Sequence, residues 1–141
     1  MKLNFPVSKN EKLYIEMCSK AKQLQDLWKP KIGDFCIDMG DLWYIQDNTK
    51  LNYVKGVRKD DTWLPTEEQL QGLVIAPTME RPVDMLFRFA KWSIPFRCHT
   101  SKQQKFTIKQ LWLSYLMEQI YGMIWGNGEW HKIRVKNLLE A

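Results

Sequence analysis

The stretch Leu111–Ile133, LWLSYLMEQIYGMIWGNGEWHKI, decides how this chain is read. On a helical wheel at about 100° per residue, Gln110, Ser114 and Glu118 fall on one narrow stripe. Ile108, Leu111, Trp112, Leu113, Tyr115, Leu116, Met117 and Ile120 fill nearly everything else. A helix apolar over so much of its circumference belongs at the centre of a core. Thr107-Ile108-Lys109-Gln110 has capping-box spacing at its start. Gly122 stands where a left-handed cap would end it. Beyond it, Asn127-Gly128 is the strongest short hairpin signal, because both turn positions need positive φ. That turn places Trp125 opposite Trp130 on one face, where a cross-strand aromatic pair adds roughly 0.2–1 kcal/mol. The aromatic density therefore reads mainly as packing, with the hairpin tip left as a candidate binding surface.

Working outward, Ser8-Lys9-Asn10-Glu11 also has capping-box spacing. Tyr14, Met17, Cys18, Ala21, Leu24 and Trp28 then recur at helical intervals, predicting one helix from Lys9 to Leu27, stopped by Pro30. Three short antiparallel strands are expected next, at Asp34–Asp38, Leu42–Gln46 and Asn52–Val57, with Met39-Gly40-Asp41 and Asp47-Asn48-Thr49 as turns. Thr66-Glu67-Glu68-Gln69 opens a short helix to Val74. Pro77 and Pro82 frame a loop, and Pro82 starts a helix whose Val83, Leu86, Phe87 and Ala90 share a face. Pro95 closes that helix after Trp92, and Phe96–Lys105 reads as a polar, basic loop. The fold class is α+β: a small antiparallel β-meander packed against several helices, with a C-terminal β-hairpin. Residues 1–141 read as a single compact domain; the N-terminal helix, within 1–28, either packs into it or projects as an appendage that makes a dimer.

Hydrophobic residues are 45% and charged residues 26% of the 141, a globular rather than disordered balance. No apolar run approaches a membrane span and MKLNFPVSKNEK has no signal-peptide core, so a cytoplasmic protein without membrane contact is expected. Cys18, Cys36 and Cys98 are too few and too scattered for a disulfide framework. The net charge of +5 is uneven: the first 31 residues and the last 61 are basic, and the middle is acidic.

Phosphate loops, the Gly-x-Ser-x-Gly elbow and the His-Glu-x-x-His zinc motif are all absent. Cys98-His99 with Cys36 and His131 does not match a zinc spacing, so neither a metal nor a cofactor is expected. Asp34, Asp38 and Asp41 cluster around one strand; Asp34 and Asp38 share its parity and are the candidate carboxylate pair if the protein is an enzyme. Arg97, Lys102, Lys105 and Lys109, with Lys132, Arg134 and Lys136, form two basic runs of the kind that pair with the phosphates of single strands. Trp63 and Leu64, in the Trp63-Leu64-Pro65 corner, and the pair Trp125 and Trp130 are the candidate protein-binding residues.

The pattern Trp63-Leu64-Pro65-Thr66 with Gln69-Leu70, then Leu111-Trp112-Leu113, Tyr121-Gly122, Trp125 and Trp130, resembles a group of small uncharacterised proteins encoded by phages and prophages of Gram-positive bacteria. The likeness covers roughly residues 60–131. It implies an accessory protein acting in the cytoplasm of the infected bacterial host, and no activity. The reading favoured is a non-enzymatic module that binds a protein partner. Single-stranded nucleic acid is the first alternative, an enzyme at Asp34/Asp38 the second, and homo-oligomerisation stays open.

Overall fold

Ser8 begins the first helix by accepting the Glu11 backbone N–H at 3.2 Å. The computed structural model describes residues 1–3, 8–57, 61–98 and 106–133. Helix α1 runs Lys9–Lys20 and buries Tyr14, Met17 and Cys18. The single helix expected to Leu27 is instead broken at Ala21, whose ψ of 77° leaves the helical region, and α2 restarts at Lys22–Asp26. Gln25 explains the break. Its side-chain amide donates to the Cys18 carbonyl, which also accepts the Ala21 N–H at 3.1 Å, and to the Trp63 carbonyl, both at 3.0 Å, and its oxygen accepts the Trp63 N–H at 2.7 Å.

Strands β1 (Phe35–Asp38) and β2 (Asp41–Tyr44) form the expected antiparallel hairpin. Its two-residue turn is Met39-Gly40, with φ of 52° and 80°, the pair of positive values a type I′ turn requires. The third strand is not where the sequence placed it. Asn48–Val57 is helix α3, because Asp47 acts as a cap: its carboxylate accepts the Lys50 N–H and its carbonyl the Leu51 N–H. Val54 is fully buried on its inner side. The missing strand is β3 (Thr62–Leu64), which pairs with β1, so the order is β2-β1-β3 rather than a meander. Residues 1–3 lie along β2, with the Leu3 N–H on the Leu42 carbonyl and the Tyr44 N–H on the Met1 carbonyl.

Helix α4 (Glu67–Thr78) starts at a complete Thr66–Gln69 capping box and runs past Val74, carrying Pro77 in its last turn. Helix α5 (Pro82–Cys98) likewise carries Pro95 inside it instead of ending near Trp92. A proline costs a helix one hydrogen bond and crowds the preceding turn. Packing of α5 on α6 (Ile108–Tyr121) outweighs that cost. Phe89 stacks on Trp112 with ring centroids 3.7 Å apart, and the Trp92 indole donates to Glu118 at 2.6 Å.

Helix α6 is the central helix, capped by Thr107–Gln110 at one end and by Gly122 at φ 63° at the other. Seven of its residues, Gln110 to Leu113 and Tyr115 to Met117, are buried. Gln110 tolerates burial because its amide completes the capping box and donates to the Asn10 carbonyl at 2.7 Å. The chain closes with β4 (Met123–Gly126) and β5 (Glu129–Lys132), in the register Trp125↔Trp130 with an Asn127-Gly128 turn.

Candidate functional site: the outer face of helix α5

The residues first expected to bind protein are largely committed to the interior. Trp63 and Leu64 are only 6% and 8% exposed. Trp63 lies parallel to Trp28, with centroids 6.4 Å apart, and both its backbone groups are held by Gln25. A corner ending in proline looks exposed in sequence; here it is a strand pressed between α1, β1 and the Trp28 ring. The pair Trp125 and Trp130 does form, edge to face at 5.2 Å. It is half-buried against the core rather than presented to a partner. The Trp130 indole donates to the Met17 carbonyl, and Lys20 bridges Glu16 and the Gly128 carbonyl, clamping the hairpin onto α1.

Of the two basic runs, Lys109 and Lys132 have described side chains. Lys109 sits in the first turn of α6 with its ammonium 4.6 Å from the Tyr14 ring. Lys132 is exposed at the end of β5, opposite Met123. Arg97 lies on the last turn of α5, its side chain outside what is described, and Lys102, Lys105, Arg134 and Lys136 lie outside the described residues.

The aspartates separate into three different roles. Asp34 is a buried anchor: one oxygen accepts the Trp28 indole at 2.9 Å and the Lys31 N–H, the other the Gln69 amide at 2.8 Å. Asp41 pairs with Lys2 near the surface. Asp38 receives Lys50 at 2.5 Å. The same ammonium lies 3.7 Å from the Trp43 ring centroid and 4.8 Å from that of Tyr53, an aromatic cage filled by the protein's own lysine. Burial pushes the Asp38 carboxyl up, but the hydrogen bond from Lys50, hydrogen bonding with Asp61 and the Lys50 charge outweigh it and leave its pKa below the ordinary value. Asp34 and Asp38 thus share a strand face, as their parity implies, yet each is spent on its own structural partners. Among the described residues, no group of three or more His, Cys, Asp or Glu is gathered to hold a metal.

The thiols are equally closed. Burial raises both Cys18 and Cys36 to about 12, with the neighbouring Asp61 adding to the effect at Cys36.

Helix α5 carries a row of exposed apolar side chains. Its inner side buries Met85, Phe89 and Ser93, not the Val83, Leu86, Phe87 and Ala90 face that periodicity picked out. That second face points outward, with Val83 at 64%, Leu86 at 47% and Phe87 at 66% exposure, and Ile94 continues it at 47%. The helix is apolar on both sides, so spacing alone could not choose between them. The aromatic surface of α6, Trp112 and Tyr115, selects the side that stacks. An exposed row of large apolar side chains at one face, edged by Asp84, Arg88 and Lys91, has the form of a docking surface. The signal was present in the sequence as a helix with too much apolar surface for one neighbour.

Among the described residues no helix is long and apolar enough to cross a membrane. No known protein family, curated protein or solved structure matches this chain.

Proposed function

We propose that this protein is a non-enzymatic binding module, a phage or prophage accessory protein that docks a protein partner in the cytoplasm of its bacterial host. The observation that carries the reading is the outward apolar face of α5, Val83, Leu86, Phe87 and Ile94, on a helix whose opposite side is already packed. Burying such a row is worth roughly 25 cal/mol per Å² of apolar area, so covering it is favourable. A protein surface suits it better than a nucleic acid, whose phosphates would leave the apolar row without contacts. The commitment of Asp34 and Asp38 to Trp28, Gln69 and Lys50 weighs against chemistry there.

The test is a photo-crosslinker, p-benzoylphenylalanine, placed at position 87 in the protein expressed in a bacterial host. A covalent protein adduct of defined mass, absent when the crosslinker is moved to the exposed position 129, is the expected result. No adduct at position 87, together with salt-sensitive binding of labelled single-stranded DNA or RNA between about 50 and 200 mM salt, would replace the protein partner by nucleic acid.

A further inference from the structure

Resting on that docking face, we infer that its occupant is a second copy of this chain, seated helix against helix and antiparallel. Three observations point there. First, the exposed residues Val83, Phe87, Ala90 and Ile94 are spaced four, three and four apart, the alternation of a two-helix seam with Val83 and Ala90 at one core position and Phe87 and Ile94 at the other. A helix that only met a flat surface would need no such alternation.

Second, the seam is complementary to itself in one direction. In an antiparallel pair centred between Arg88 and Phe89, Phe87 lies over Ala90 of the second copy and Val83 over Ile94. The large ring meets the small side chain twice, by symmetry. A parallel pair would set Phe87 against its own copy and Ala90 against its own, crowding one layer and leaving a gap in the other.

Third, the charges beside the seam match the same direction. Asp84 and Lys91 both follow a seam residue by one position, on one flank of the helix. In the antiparallel pair Asp84 approaches Lys91 of the second copy, again twice; in a parallel pair that flank would offer Leu86 and Ser93 instead. In the single chain Asp84 is held by Arg81 at 2.8 and 3.2 Å, an exposed pair that leaves room for a second cation. Lys91 has its ammonium 5.8 Å from the Phe87 ring and no carboxylate within salt-bridge reach among the described residues.

Three turns of helix bury less than the roughly 1,200 Å² of a standard interface, so the dimer is reversible with a Kd in the micromolar range. Sedimentation equilibrium of the purified full chain between about 1 and 300 µM reads it. The wild type is expected to shift from monomer to dimer across that range. Phe87→Lys is expected to weaken association at least about tenfold while leaving the urea midpoint unchanged at about 1 µM, where both proteins are monomers, since the side chain is two-thirds exposed. Asp84→Lys alone weakens it, and Asp84→Lys with Lys91→Asp restores it, a rescue that a dimer through any other surface would not show. A wild type that stays monomeric at the top concentration, or a dimer indifferent to Phe87→Lys, overturns the inference. The crosslinking at position 87 then separates the two readings: an adduct with a different protein keeps the docking face and removes the second copy, and no adduct removes both.

Discussion

The Gln25 side chain holds both the N–H and the C=O of Trp63, 38 residues away, in the manner of a neighbouring strand. A third bond from the same amide closes the end of α1 at Cys18. One side chain therefore ties the break between two helices to the position of a strand, and through Trp63 to the Trp28 ring stacked on it.

Replacing Gln25 by Leu keeps the size and removes all three bonds. At roughly 1 kcal/mol per bond, unfolding free energy from urea titration is expected to fall by about 2–3 kcal/mol. A loss under about 0.5 kcal/mol, typical of a surface substitution, would show that the amide is incidental.

Asp34 joins the end of α2, the start of β1 and the N-terminus of α4 through Trp28, Lys31 and Gln69. Asp34→Asn cannot accept on both oxygens, so a buried donor meets a donor. The expected cost is about 2–4 kcal/mol, read as a lowered urea midpoint with little change in slope.

The pH dependence follows from Asp38. Its folded pKa lies below the unfolded value of about 3.9, so its contribution is fully present above that value and is lost as pH falls through the lower folded pKa. At pH 7, Asp38→Asn is expected to cost about 3 kcal/mol by leaving Lys50 without its carboxylate. The gap between variant and wild type should narrow as urea titrations are taken from pH 5 towards about pH 3. A gap independent of pH would mean that the Trp43 and Tyr53 rings, not the carboxylate, hold the lysine.

Thiol chemistry offers an independent check on packing. Cys18 and Cys36 are fully buried, with pKa values near 12, so at pH 8 neither should react with iodoacetamide in the folded protein. Peptide mass mapping should show both labelled only at the rate of unfolding. Prompt labelling of Cys36 would mean that the sheet opens locally.

The tryptophan pair can be measured by a double-mutant cycle with Trp125→Leu and Trp130→Leu. Edge-to-face geometry at 5.2 Å implies a coupling of about 0.5–1.5 kcal/mol. Additive losses would reduce the pair to two separate contacts with the core.

The parts of the fold written in local rules were legible in the sequence. The Thr66 and Thr107 boxes, the Gly122 cap, the Asn127-Gly128 turn and the all-apolar α6 each depend on a few adjacent residues. What misled was ambiguity that only tertiary contacts resolve. Asp47-Asn48-Thr49 suits a turn or a helix cap equally well, and the cap is realised because α3 buries Val54, packs Leu51 on the core and sets Lys50 against Asp38. Pro77 and Pro95 look like stops because their effect is local, yet both sit inside helices whose packing overrides them. The candidate site was half legible. The Val83, Leu86, Phe87, Ala90 face was visible as a stripe, but its direction depends on which side of α5 finds Trp112 and Tyr115.

The three-stranded sheet has a further consequence. Gln25 occupies the outer side of β3, and residues 1–3 lie along the outer side of β2. Among the described residues, neither β2 nor β3 offers a free run of backbone groups to an incoming extended peptide. Strand addition, one way that sheet edges recruit peptides or polymerise, is thereby blocked at these two edges. Recognition at this sheet goes through side chains, and a population partly unfolded at Gln25 is the form in which strand pairing at β3, and with it aggregation, would begin.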